Sequence, residues 1–155
     1  MNIISQTAEY ALRAVVCMAQ SDIEAPGRVL TAPFIAEQTK VPSGYLLKVL
    51  QGLCRAGLVR SQRGIGGGFR LDCNPQNTTI YDVVQAVDAL PRIEECPLGN
   101  PAHTTLCPLH MQLDKAMETV EKAFKKATIA ELVEGRDSLC PIDGIDFTSS
   151  LTHHE

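Results

Sequence analysis

The sequence predicts a mainly α-helical fold with a small β-hairpin wing: a winged helix-turn-helix followed by one long helix. Three observations predict it. Two short amphipathic segments follow each other almost without a gap between Thr31 and Gly57, the spacing of a helix-turn-helix. A glycine-rich turn, Gly64 to Gly68, then separates two strand-like runs directly after the second segment. Finally, from Leu109 to Ala127 the apolar residues step alternately by four and three, as in a helix that packs along one seam.

Each element follows from its residues. In SQTAEYALRAVVCMAQ, Ala8, Ala11, Leu12, Val15, Val16 and Ala19 recur at helical spacing, and Ser5 can cap the start. SDIEAPGRV is polar, carries a Pro-Gly turn signal and reads as a loop. TAPFIAEQTK opens on a Thr cap and ends at Lys40. In VPSGYLLKVLQGLCRAG, Ser43 is the candidate cap, Leu46, Leu47, Val49, Leu50 and Leu53 form an apolar face, and Gly57 stops the helix. Strand-like runs Leu58 to Gln62 and Phe69 to Asp72 flank the glycine turn, as a wing requires.

TTIYDVVQAVDAL is a further helix, with Ile80, Val83, Val84 and Val87 on one face and Thr78 or Thr79 as cap. A loop crowded with proline and glycine runs from Pro91 to about Leu106. The long helix follows, its stripe made by Leu109, Leu113, Ala116, Val120, Ala123 and Ala127 with Met117 and Phe124 beside the seam. Such a stripe either packs on its own chain or pairs with its copy in a homodimer. The homodimer is expected, because the earlier helices already account for a small core. TIAELVEG reads as a last short helix and SLCPIDGIDFTSSLTHHE as a tail. The expected division is a winged domain over 1–90, a cysteine-containing sensor loop over 91–107, dimerisation and terminal helices over 108–134, and a tail over 135–155.

A chain of 155 residues, 45% of them hydrophobic, suits one modest core with an extension. No apolar run approaches membrane-spanning length, and Glu9 and Arg13 interrupt the N-terminal apolar stretch. Neither signal peptide nor membrane anchor is expected, and the cytoplasm is the expected location. Six cysteines in that reducing compartment point to metal binding or thiol chemistry, not to a disulfide framework.

A net charge of −4, taken alone, argues against a nucleic-acid partner. Its distribution reverses that conclusion. Between Gln38 and Leu71 there is no acidic residue, while Lys40, Lys48, Arg55, Arg60, Arg63 and Arg70 all fall inside. A helix entering the major groove of duplex DNA needs polar side chains near its N-terminal end for base edges and cations at its flanks for phosphates. Ser43, Tyr45, Lys48 and Gln51 supply the first set, and Arg55 and Arg60 the second. Arg63 adjoins a turn in which Gly66 and Gly67 let the backbone approach DNA, so it is placed for a narrow minor groove.

Other classes fare worse. RGIGGGF lacks the lysine and the following helix of a phosphate-binding P-loop. No Cys-x-x-Cys motif and no recognisable nucleophile turn is present, so an enzyme is not expected. A winged domain that binds protein instead of DNA is the remaining alternative, and it would show no salt-dependent duplex binding.

AEYALRAVV, VPSGYLLKVLQGLCRAGLVRSQRGIGGGFRL, TIYDVVQAVD and a cysteine-containing loop before a long helix ending in TIAELV together resemble the Rrf family of winged-helix regulators, of the IscR and NsrR type. The resemblance extends to about Val133. It implies a homodimeric transcription factor, usually a repressor, on a pseudopalindromic operator. It places the recognition helix on Ser43 to Arg55 and the wing on Arg60 to Arg70, with Arg63 as the wing arginine. Leu47 stands where IscR-like members carry a glutamate.

The same resemblance bears on the loop. Cluster-binding members carry three loop cysteines; here Cys96 and Cys107 match the first and last, and Cys107-Pro-Leu-His110 matches a Cys-x-x-His ending. Pro101 and Ala102 occupy the place of the middle cysteine, beside His103. The implied cofactor is a [2Fe-2S] cluster at the dimer interface, held by Cys96 and Cys107 of one subunit and Glu9 of the other, with His103 or His110 completing the shell. Arg13 stands where a related member has a ligand histidine. Without iron, Cys96 and Cys107 would serve as a reversible disulfide or a persulfide. Cys17 and Cys54 read as small core residues, Cys73 ends the second strand, and Cys140 is expected to do nothing in the tail.

Overall fold

Ser5 opens the first helix, α1 (Gln6–Glu24), by accepting the Ala8 N–H at 3.1 Å. This computed structural model describes residues 3–97, 99 and 105–134. α1 continues through Ser21 to Glu24, past the point where the polar sequence suggests a loop. Its end is tied down instead: Ser21 is buried, the Ala25 N–H returns to the Ser21 carbonyl at 2.9 Å, and Asp22 Oδ1 accepts the Gly27 N–H at 2.7 Å.

α2 (Ala32–Thr39) begins at Thr31, whose hydroxyl accepts the Phe34 N–H at 3.3 Å, and has a proline in its first turn, where a missing N–H costs nothing. Its end is sharp because Lys40 adopts left-handed backbone angles, the one non-glycine residue with positive φ among those described. α3 (Ser43–Arg55) follows after the buried Val41. Pro42, not Ser43, occupies the cap position, and no side chain caps this helix. The left-handed turn and the fixed φ of proline set the chain direction here, and the Pro42 carbonyl receives the Tyr45 and Leu46 N–H groups at 2.9 and 3.0 Å.

α3 buries Leu46, Val49, Leu50 and Leu53. Leu47, expected on that face, is half exposed instead, because helical rotation sets it beside Gly44, Lys48 and Gln51 on the outer side. Gly57, at φ +75°, ends the segment, and the Leu58 N–H reaches back to the Leu53 carbonyl at 3.0 Å.

β1 (Val59–Gln62) and β2 (Gly68–Leu71) pair antiparallel, with Val59 opposite Leu71 and Gln62 opposite Gly68. Leu30 adds a single bridge to the other side of β2 through two 2.8 Å bonds with Phe69. α4 (Ile80–Val87) starts at Thr79 in a reciprocal capping box with Asp82, leaving Thr78 buried. α5 (Pro108–Lys126) and α6 (Ile129–Glu134) complete the described chain. Backbone bonds from Ile80 to Ala127 and from Ile129 to Thr78, at 2.9 and 2.8 Å, fasten the α5–α6 junction to the start of α4.

The core lies around α1, against which α2, α3, α4, α6 and β2 all pack. Met18, Ile35, Leu46, Leu50, Leu53 and Ile129 are fully buried there, each contributing about 1.5–3 kcal/mol by withdrawal from water. α5 differs. Its packing within the chain is chiefly on α4, and none of its residues is buried. Among the described residues, no helix is long and apolar enough to cross a membrane.

Candidate nucleic-acid interface and metal centre

The apolar period of α3 dictates what its other side presents. With Leu46, Val49, Leu50 and Leu53 turned inward, Ser43, Tyr45, Lys48, Gln51 and Arg55 are all exposed on one outward surface. Tyr45 makes an edge-to-face contact with Tyr10 of α1, the ring centroids 6.2 Å apart. Behind it, Arg13 bridges two helices: its guanidinium pairs with Glu9, donates to the Thr39 carbonyl at 3.3 Å, and lies 5.9 Å from the Tyr10 ring.

In the hairpin, Arg60 and Arg70 are direct cross-strand partners. Like charges in that arrangement repel, and Asp72 offsets the repulsion by accepting from Arg60 at 3.0 and 3.2 Å. Arg60 is therefore already paired, while Arg63 is exposed at the start of the turn. Gly64 and Gly66 hold φ of +90° and +74°. Gly67 is required for a different reason: a Cβ there would lie 2.6 Å from the Gln62 carbonyl oxygen. Exposed amides, hydroxyls and cations on a helix and an adjoining hairpin can hydrogen-bond base edges and neutralise phosphates.

The second cluster forms where the loop meets α5. Cys107 occupies the N-cap position and places His110 in the first helical turn, with Nδ1 3.1 Å from Cys107 Sγ. Cys96 comes back from the loop to within 3.8 Å of the same nitrogen. The three donor atoms all lie within 4.8 Å of one another. Thiolate and imidazole donors suit zinc or iron-sulfur iron and disfavour hard cations. His103 lies outside the described residues, as does Cys140. Glu9 does not join these donors within one chain; it borders an apolar groove lined by Ile3, Ile4, Leu12, Val120 and Phe124.

The remaining described cysteines have different surroundings. Burial pushes the Cys17 thiol up to about 12, and burial also raises Cys54 and Cys73. All three are held protonated at neutral pH.

One structural feature leaves little trace in the sequence. Arg92, the one lysine or arginine in the 91–107 segment, grips Asp114 through Nε and Nη2 at 2.7 and 2.8 Å and reaches Glu121 at 3.0 Å. Asp114 also accepts the Ile93 N–H at 3.0 Å. The only signal in the sequence is an acidic pair seven apart on the long helix, set beside its apolar stripe. This clamp lays the start of the loop along α5, while Lys125 pairs with Glu121 and sits 4.4 Å from the Tyr81 ring of α4.

The sequence profile of the Rrf2 family, described as iron-dependent transcriptional regulators, matches residues 4–135. The chain belongs to this family. Among the relatives of this Rrf2 chain, the HTH-type transcriptional regulator NsrR of Bacillus subtilis (strain 168) is 28% identical over 139 residues, covering 88% of this chain and 93% of that protein. Protein aau3 of Rhizobium meliloti (strain 1021) is 31% identical over 150 residues and covers 94% of each. Among solved structures, T. potens IscR superposes with a TM-score of 0.70 at 20% identity, covering 88% of this chain and 93% of that one. CymR, the global cysteine regulator of B. subtilis, gives 0.68 at 24%, covering 86% and 98%. These likenesses establish the mainly helical fold with its two-stranded wing as that of Rrf2 transcriptional regulators.

Proposed function

We propose that this Rrf2 chain is a cytoplasmic, homodimeric DNA-binding repressor whose operator affinity responds to redox, nitric oxide or iron-sulfur status through a [2Fe-2S] cluster in the 91–107 loop. The observation that carries the sensing half is the convergence of Cys96, Cys107 and His110 at the first turn of α5. On this reading Cys96, Cys107 and His110 hold the cluster with Glu9 of the partner subunit, and His103 is the alternative to His110. The bound cluster would supply a centre whose charge and ligand demand change on reduction, nitrosylation or loss.

The chain's own residues relate that centre to DNA. Arg92 holds the loop against α5, and α5 packs on α4. α4 in turn meets α3 closely: a Cβ on Gly52 would lie 3.1 Å from Val87 Cγ1. A shift of the loop therefore reaches the proposed recognition helix through packed elements. In a dimer that reads two half-sites about one helical turn apart, a small change in the separation of the two α3 helices lowers affinity at both. Ser43, Tyr45, Lys48 and Gln51 read bases on this proposal. Arg55, Arg60, Arg70 and the backbone at Gly66 and Gly67 meet phosphates, and Arg63 enters the minor groove.

The test is an absorption spectrum with iron and sulfide analysis of protein purified without oxygen, followed by operator binding before and after cluster removal. A visible charge-transfer band, about two irons and two sulfides per cluster, and a changed affinity support the reading. Iron-free protein that resists reconstitution, or equal affinity in both forms, refutes it.

A second reading keeps DNA binding and drops iron. The sulfurs of Cys96 and Cys107 lie within 4.8 Å of each other, and this proximity favours their oxidation to a disulfide. Hydrogen peroxide would accept the two electrons and two protons released, giving two waters. Mass spectrometry after mild peroxide treatment detects the loss of two hydrogens; an unchanged mass excludes this alternative.

A further inference from the structure

Ile65 is 94% exposed, more than any other large apolar residue among those described. It stands at the tip of the β1–β2 turn between Gly64 and Gly66, and no atom beyond its chain neighbours lies within 4 Å of where a side chain on either glycine would begin. The turn is closed by its backbone, through the Gly67 N–H to the Gly64 carbonyl at 3.0 Å. Ile65 therefore contributes no packing to the fold. Leaving a branched aliphatic side chain in water forgoes the gain of burying it.

What surrounds the tip says what would cover it. Arg63 is exposed two residues away, and the chain from Gln38 to Leu71 holds six cations and no acid. One apolar side chain between two glycines, with an exposed cation two residues away, is too small for a protein interface. It matches the minor groove of duplex DNA, where phosphates line the walls and the floor presents sugar and base edges.

We infer that Ile65 is a minor-groove wedge that makes this protein prefer A·T base pairs under the wing. This inference rests on the DNA-binding reading above. The guanine N2 amino group projects from the groove floor; an aliphatic tip would block its access to water without offering it an acceptor. A·T pairs carry no such group. Arg63 supplies charge and Ile65 selects the floor it can settle on.

The full chain and Ile65→Ser are each used to enrich binders from one pool of random-sequence duplexes, and affinities on the wild-type consensus are measured over a range of salt concentrations. The wild type enriches A·T pairs in two patches flanking its half-sites, and Ile65→Ser loses that enrichment. On the wild-type consensus the variant binds about tenfold more weakly, the order expected for one aliphatic side chain returned to water, with the salt slope unchanged. Arg63→Ala reduces the slope, because it removes a charge. Placing G·C pairs in the patches weakens wild-type binding, and inosine–cytosine pairs, which lack the amino group, restore it.

Equal enrichment and affinity for Ile65→Ser and the wild type overturn the inference, as does failure of inosine to restore binding. A wild type that selects no sequence and shows no salt-dependent binding overturns the DNA reading itself, and the wedge with it.

Discussion

Arg92 and Asp114 meet through two parallel N–H···O bonds of 2.7 and 2.8 Å, the bidentate geometry that makes Arg–carboxylate pairs directional. The Arg92 guanidinium holds the Asp114 carboxyl down at about 2 against an ordinary 3.8, helped by the Ile93 N–H. The sign of the pH effect follows. A carboxyl depressed in the folded state adds stability above its unfolded pKa, and that contribution fades as pH falls from about 4 through about 2. Asp114→Asn removes this part of the acid sensitivity. Thermal melts between pH 5 and pH 2 should show a flatter fall for the variant and, because the pair is solvent-screened, a difference of only about 2 °C at neutral pH. Parallel curves would refute the clamp.

The proposed metal centre separates its candidate ligands by what each loses. Cys107→Ser removes a thiolate at the N-cap position of α5, and His110→Ala removes the nitrogen facing both sulfurs. Both variants should purify with less than about a tenth of the wild-type iron, since removing a direct ligand exceeds the 10–100-fold cost of losing an outer partner. Glu9→Gln gives up the ion pair with Arg13 but leaves Arg13 its bond to the Thr39 carbonyl, and it should lose iron as the ligand variants do; full iron in this variant would remove Glu9 from the ligand set. Retention of full iron by His110→Ala would transfer the role to His103.

Much of this fold is legible in the sequence, and the exceptions share a cause. Ser5, Thr31 and Thr79 cap helices as their residue types require. Ser43 does not, because the left-handed Lys40 and the rigid Pro42 set the chain direction before a side-chain cap is needed. Leu47 misleads because apolar identity alone does not fix which way a residue faces; the angle from Leu46 and Leu50 does. Cys96, Cys107 and His110 are singled out through the family resemblance; only the Cys107–His110 pair, three positions apart at a helix start, is brought together locally, whereas Cys96 lies 14 positions from His110. The Arg92 clamp joins residues 22 and 29 positions apart, and no local pattern encodes that distance.

The exposed stripe of α5 gives the proposed dimer a direct test. Leu109 and Leu113 are 64% and 48% exposed within one chain, and the apolar groove beside Val120 and Phe124 continues the same surface. Leu113→Asp introduces a charge that a dimer seam would have to desolvate. The variant should retain its far-ultraviolet circular dichroism yet dissociate about a hundredfold more readily in analytical ultracentrifugation, the range of an interface hot spot. An unchanged oligomeric state would place the interface elsewhere.

The wing can be broken without touching a cation. A Cβ on Gly68 would lie 2.3 Å from the Leu30 carbonyl oxygen and 2.8 Å from its carbonyl carbon. Both are backbone atoms, so the strand and the Leu30 segment have to separate, and the two 2.8 Å bonds between Leu30 and Phe69 go with them. Gly64→Ala meets no neighbour and bears only left-handed strain, about 1 kcal/mol. Gly68→Ala should therefore lower stability by roughly 2–3 kcal/mol, the scale of a core clash with lost hydrogen bonds. It should also weaken duplex binding more than Gly64→Ala does, because the hairpin loses its anchor as well as its shape. Denaturant melts and binding isotherms on the two variants decide the matter: equal losses would mean that the wing is held by its own turn and not by Leu30.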